Sequence, residues 1–176
     1  MRKFRAFQNK DPNPVQHRAV SVCIFQELLK NKITKSKRAI RQLGRLAFFF
    51  AERSSKYLNV PQSKKKRTDI LRLRNIRFFR SGRLLSHLDP QLEYADYVTK
   101  MFEWKRKDNR MDTVTQMASG DRLLCPVRLD AVLVRRMRGY PGSSDNTLVS
   151  AVCRSDRIKD ITSNEMVEAL RATVRA

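Results

Sequence analysis

The apolar residues of this 176-residue chain change their spacing twice, and that restricts the folds open to it. Early on they recur every three or four positions: Val20, Cys23, Ile24 and Leu28 across 17–30, then Ile40, Leu43, Ala47 and Phe50 behind Ser36. This spacing gathers apolar side chains on one stripe of a helix, and Ser36 is a good N-cap for the second. The other positions of that helix carry Lys37, Arg38, Arg41 and Arg45, which predicts a cationic outer face. From Ile70 the spacing becomes an alternation. Leu71, Leu73, Asn75, Arg77 and Phe79 oppose Ile70, Arg72, Arg74, Ile76, Phe78 and Arg80, which predicts a strand over 70–80 with a basic exposed edge. Two more strands are predicted at 94–104, rich in Tyr, Val, Thr, Phe and Trp, and at 112–117, where Thr113 and Thr115 alternate with Val114 and Gln116. Residues 105–110 are polar, so these two strands form a hairpin tipped with cations. Helical spacing returns over 126–138 with Pro126 in the first turn, and 139–146 reads as a loop. Thr162 and Glu165 have the spacing of a capping box that opens a last helix running to Arg175. The predicted fold is α+β, mainly α: helices flanking a small three-stranded antiparallel sheet.

Charge divides the chain differently. Residues 1–88 hold 23 Lys and Arg against 4 Asp and Glu, a net +19, whereas 89–176 hold 15 against 13, a net +2. A field of +21 has little use in a metabolic enzyme and suits a binder of polyanions. A hydrophobic share of 41% still supplies a core, and 5 Gly with 6 Pro exclude a collagen or linker protein. Cys23, Cys125 and Cys153 are odd in number and widely spaced, and His17 and His87 stand alone, so neither a zinc site nor a disulfide framework is expected. The first residues lack an apolar leader, and the run from Leu46 to Ala51 is too short to span a bilayer. The expectation is a soluble intracellular chain, nuclear if eukaryotic, with a flexible lead at 1–16, one domain over 17–176 and no membrane partner. Lys64, Lys65, Lys66 and Arg67 lie in a loop and admit three readings: solvated charge, a nuclear-import patch or phosphate contacts. With them, Arg72, Arg74, Arg77 and Arg106 are the cations expected to meet DNA phosphates. Phe48, Phe49, Phe50, Phe102 and Trp104 are expected to pack internally, Cys125 to be a buried small hydrophobe, and Tyr94, Tyr97 and Tyr140 to be structural.

The ordered set of local strings resembles the catalytic domain of the tyrosine recombinase, or phage-integrase-type, family, in versions associated with mobile elements. The likeness runs over roughly 36–175. An apolar helix through Leu46, Phe48 and Phe50 enters a turn at Arg53, Ile70–Arg77 matches the passage into a first strand, and Leu124-Cys-Pro-Val-Arg128 resembles the segment after the hairpin. The resemblance implies that Arg53 contacts the scissile phosphate. It also implies that Lys105 or Lys107, on the hairpin tip, donates a proton to the departing oxygen. Such enzymes attack a DNA phosphodiester with a tyrosine and need neither metal nor cofactor.

The chain departs from that pattern at defined places. The family's Arg-x-x-Glu turn has Lys56 where Glu is expected, no His-x-x-Arg follows the hairpin, and no tyrosine follows Tyr140. Residues that act as one constellation fail together. The resemblance therefore implies a C-terminally truncated, catalytically incomplete fragment that binds duplex DNA; the family assembles as oligomers by exchanging a terminal segment absent from this sequence, and self-association is left open. Truncation would expose Met166, Val167 and Leu170 on the last helix. The alternative is a non-enzymatic basic DNA- or RNA-binding protein without recombinase ancestry.

Overall fold

The helical stripe behind Ser36 becomes α1 (Lys35–Phe49), one residue ahead of the predicted cap, and it buries Ala39, Ile40, Leu43 and Leu46. The computed structural model describes residues 35–49, 57–58, 70–103, 111–121 and 124–174. Within them the chain is α+β: three helices, a four-stranded antiparallel sheet and a separate two-stranded one. The predicted helix at 17–30, the lead at 1–16 and the loop at 59–67 lie outside the described residues.

The large sheet consists of β1 (Ile76–Arg80), β2 (Arg83–Leu85), β3 (Tyr97–Glu103) and β4 (Met111–Met117), in the order β2-β1-β3-β4. One face carries Ile76 and Phe78 from β1 with Val98 and Phe102 from β3, all nearly inaccessible to water. Against it lies α2 (Pro126–Arg138), which buries Val127, Leu129, Ala131, Leu133, Val134 and Met137 and also packs on α1. Burying a side chain of this size stabilises the fold by roughly 1.5–3 kcal/mol. The helix starts where sequence chemistry expects it, with Cys125 as N-cap and Pro126 at N1, and it ends at Gly139. The second sheet pairs β5 (Ala151–Arg154) with β6 (Arg157–Asp160), and α3 (Ser163–Val174) follows. At its start the Thr162 N–H donates to Glu165 Oε2 at 2.9 Å and the Glu165 N–H donates to Thr162 Oγ1 at 3.3 Å, a reciprocal capping box.

The sheet has four strands rather than three because the chain reverses at Ser81 and Gly82. Both have positive φ, 48° and 74°. A two-residue turn of that hand matches strand twist, so Arg83–Leu85 folds back onto β1 instead of leaving it. β1 is therefore an inner strand, flanked by β2 and β3. The strand predicted over 70–80 is also shortened. Leu73–Asn75 is a 3₁₀ turn, and Arg72 makes only an isolated bridge to Leu148, because that segment bonds to the loop before β5. Likewise Leu92–Tyr94 is a 3₁₀ turn, and β3 begins at Tyr97. No strand is predicted between 146 and 162, yet β5 and β6 form there around Ser155 and Asp156, with φ of 48° and 58°. Gly is absent from that turn, so its usual sequence signal is missing.

Two further expectations change. Arg45, predicted on a cationic outer face, is 7% exposed. Met166 packs into the core, whereas Val167 is exposed, so α3 does not leave its whole apolar stripe open; the Leu170 side chain lies outside the described residues.

Candidate nucleic-acid interface

One end of the large sheet collects cations through a buried amide. Asn75 accepts the Arg72 N–H on Oδ1 at 2.9 Å, and its Nδ2 donates to Glu103 Oε1 at 2.9 Å. Arg74 reaches the same carboxylate, 3.3 Å from Oε2, and donates through Nη1 to Asn146 Oδ1 at 2.7 Å. Arg72 Nη1 donates to the Asn146 carbonyl at 2.9 Å. Glu103, the last residue of β3, pairs with Met111, the first of β4. The connection holding Lys105, Arg106 and Lys107 therefore leaves from the end of the sheet where Arg72 and Arg74 sit.

Side-chain pairing separates the arginines further. In the second half Arg135 pairs with Glu93 at 2.6 Å, Arg154 with Glu165 at 2.7 Å, and Arg138 with Asp145. Arg77 and Arg83 are exposed on β1 and β2 and make no hydrogen bond or ion pair with a described residue. Exposed ion pairs contribute little stability, but they spend a cation's charge locally. Arg77 shares its charge with no described residue, whereas Arg74 shares its charge with Glu103. Arg53, Lys64, Lys65, Lys66, Arg67, Lys105, Arg106 and Lys107 lie outside the described residues.

A second set of arginines faces inward. Arg45 Nε and Nη2 and Arg41 Nη1 are buried without a hydrogen-bond partner. Burial lowers the pKa of both groups, and Asp121 partly offsets this at Arg45. Between α1 and the β5–β6 hairpin, a cavity of about 370 Å³ is lined by Arg38, Arg136, Tyr140, Cys153 and Asp156. Arg136 donates to the Tyr140 hydroxyl at 2.6 Å. Cys125 and Cys153 are free thiols, with Cys125 buried as expected. Among the described residues no group of His, Cys, Asp and Glu is placed to hold a metal ion, and no helix is long and apolar enough to cross a membrane.

His87 braces β1 from below the sheet. Its Nε2–H donates to the Ile76 carbonyl at 2.7 Å, so Nδ1 carries the lone pair that accepts from Arg138 Nη2 at 2.9 Å. Protonating Nδ1 would remove that acceptor and set two cations together. Burial lowers the His87 pKa first, and the Arg138 charge lowers it further, against the Ile76 carbonyl and Asp145. A depressed folded pKa means the unfolded chain binds the proton more readily. The neutral ring's contribution is therefore complete above the unfolded value of about 6.5 and is lost as pH falls through the lower folded value. The urea midpoint should fall as pH is lowered through and below about 6.5, and His87→Gln should flatten that fall. An unchanged slope in the variant would remove His87 as the titrating group.

No protein-family model, no curated protein and no solved structure matches the chain. Three features of this region escape the sequence reading. Lys100, on β3, is 1% exposed and lies 3.4 Å from Asp130 of α2, which is 0% exposed. Phe79 and Tyr97 stack on the sheet face opposite α2, with ring centroids 4.9 Å apart and planes at 12°. The third is the Asn75–Glu103 clasp. The alternation over 70–80 does place Phe79 beside Arg77 on one face, but no sequence signal brings Tyr97 opposite it.

Proposed function

We propose that this chain is a DNA-binding domain of tyrosine-recombinase type, related to the recombinases of mobile elements, that holds duplex DNA through its phosphates. Its 176 residues supply cations for binding but neither His-x-x-Arg nor a tyrosine after Tyr140, so they do not furnish a nucleophile or a second arginine in the family's arrangement. The observation that carries this reading is the convergence at one end of the sheet. Arg72 and Arg74 sit at the end of the sheet where β3 stops with Glu103 and β4 starts with Met111, and the sequence between those two residues carries Lys105, Arg106 and Lys107. A cation-rich stretch of sequence joining two paired strands, together with the arginines at that end of the sheet, suits a backbone that carries one negative charge every few ångströms. Phosphate contacts of this kind position DNA without reading its sequence.

Substitution of Arg53 tests the recombinase part of the reading. Duplex binding by fluorescence anisotropy is compared between the wild type, Arg53→Ala and Arg157→Ala, the last an exposed cation on the β5–β6 hairpin. Arg157→Ala is expected to weaken binding no more than one ordinary phosphate contact does. Arg53→Ala should weaken it by at least tenfold more, about 1.4 kcal/mol. Equal losses would leave a basic DNA- or RNA-binding protein with no special role for Arg53.

A further inference from the structure

Among the described residues no helix or strand packs on the face of the large sheet turned away from α2, where Thr99 is buried, Phe79 and Tyr97 are half-buried and the flanking residues are exposed. Strand register places four side chains in one row across it: Leu84 opposite Phe79, Phe79 opposite Tyr97, and Tyr97 opposite Met117. The two aromatic residues stand on the two central strands and are stacked, while Leu84 and Met117 at the ends of the row are 60% and 62% exposed. The neighbouring row holds Arg77 opposite Thr99, and Thr99 opposite Thr115. Two residues along a strand separate the rows, roughly 6.6 Å, within the reach of one nucleotide.

We propose that this face binds single-stranded nucleic acid, with unpaired bases extending the Phe79–Tyr97 stack and Arg77 holding an adjoining phosphate. The proposal rests on the nucleic-acid reading above and adds a second mode to it. Exposed apolar ends at Leu84 and Met117, with half-buried rings between them, make a row that a ligand of matching chemistry would cover. Charge selects the occupant. Two copies of a chain at +21 repel one another, and an apolar partner would desolvate Arg77, which pairs with nothing described, without giving it an acceptor. A single strand supplies both requirements at once: flat apolar bases for the rings and anionic oxygens for the guanidinium. Some four-stranded sheets that carry aromatic residues on their central strands bind bases in this way. Bases in an intact duplex already stack on each other and cannot reach the rings, so this face should discriminate between the two forms.

The test measures anisotropy of the full chain with a labelled oligothymidylate and, separately, with a labelled duplex. Phe79→Ala and Tyr97→Ala should each weaken single-strand binding by about 5- to 150-fold, while duplex binding stays within about twofold. Should either alanine variant fail to fold, Met117→Glu is the deciding variant. That side chain stands exposed at the end of the row, and a carboxylate there should weaken single-strand binding at least as far with the fold intact. Conservative Tyr97→Phe should retain binding. Single-strand binding that Met117→Glu leaves unchanged, or single- and double-strand affinities that fall together, would overturn the proposal and leave the duplex reading standing. Loss of binding to both forms in the wild type would overturn both. A wild-type dimer that Met117→Glu dissociates would assign the face to a second copy and overturn the proposal too.

Discussion

Lys100→Met is expected to destabilise the protein by about 3–5 kcal/mol, against a total stability of roughly 5–15 kcal/mol for a domain of this kind. The reason lies in where the charge sits. Lys100 and Asp130 are both removed from water, 3.4 Å apart, on a central strand and on the helix that covers it. Removing the ammonium takes away the cation 3.4 Å from the buried Asp130 carboxylate, and that loss far exceeds the worth of the pair itself. The comparison that isolates this effect is the double variant Lys100→Met with Asp130→Leu, which replaces both charges with apolar groups. It should recover most of the lost stability, because the cost comes from a buried charge deprived of the opposite charge beside it rather than from the missing attraction. Urea midpoints for the wild type, both single variants and the double variant complete the cycle. A loss below about 1 kcal/mol in both single variants would show that water reaches the pair and that it does not fasten α2 to β3.

The same pair shows where sequence reading stops. Helix α2 is predicted at its observed bounds because Pro126 and Gly139 punctuate it and Val127, Leu129 and Leu133 keep one face apolar. The capping box of Thr162 and Glu165 is equally local, and it forms as predicted. Asp130 falls among those apolar positions and Lys100 among alternating strand residues, yet neither carries any local sign that the other will meet it. Their encounter depends on how helix and sheet pack, a long-range fact. The missed strands have a different cause. Arg83–Leu85 and the β5–β6 hairpin turn on Ser81-Gly82 and Ser155-Asp156, and their strands have only three or four residues, too short for a period to declare itself. The cationic stripe of α1 fails at Arg45 for a third reason. A helix wedged against α2, β5 and α3 has more than one buried side, so its polar positions are not all outward. Of the candidate interface, Arg72, Arg74 and Arg77 were legible as cations. Which of them keeps its charge free was not, because that is decided by Glu103 and Asn146, 29 and 72 residues from Arg74.

That distinction among the three arginines sets the form of the duplex-binding experiment. Affinity for duplex DNA is expected to fall steeply with salt, with a slope of log affinity against log salt near −5 if about six phosphates are neutralised. Between about 50 and 200 mM salt this amounts to a loss of roughly 10³-fold, driven by counterions released from the DNA on binding. Each cation in contact with a phosphate should account for about one unit of the slope. Lys105→Ala with Lys107→Ala should therefore make it shallower by about two units. Arg77→Gln should remove about one, since Arg77 has no described partner to share its charge. Arg74→Gln should remove less than Arg77→Gln, because Arg74 already lies 3.3 Å from Glu103 and removing it frees that carboxylate to repel the phosphates. Equal slopes for the Arg74 and Arg77 variants would mean that the Arg74–Glu103 pair opens when DNA binds. A wild-type slope shallower than about −2 would mean that few phosphates are met, and the excess charge of the first 88 residues would then need a different polyanion to explain it.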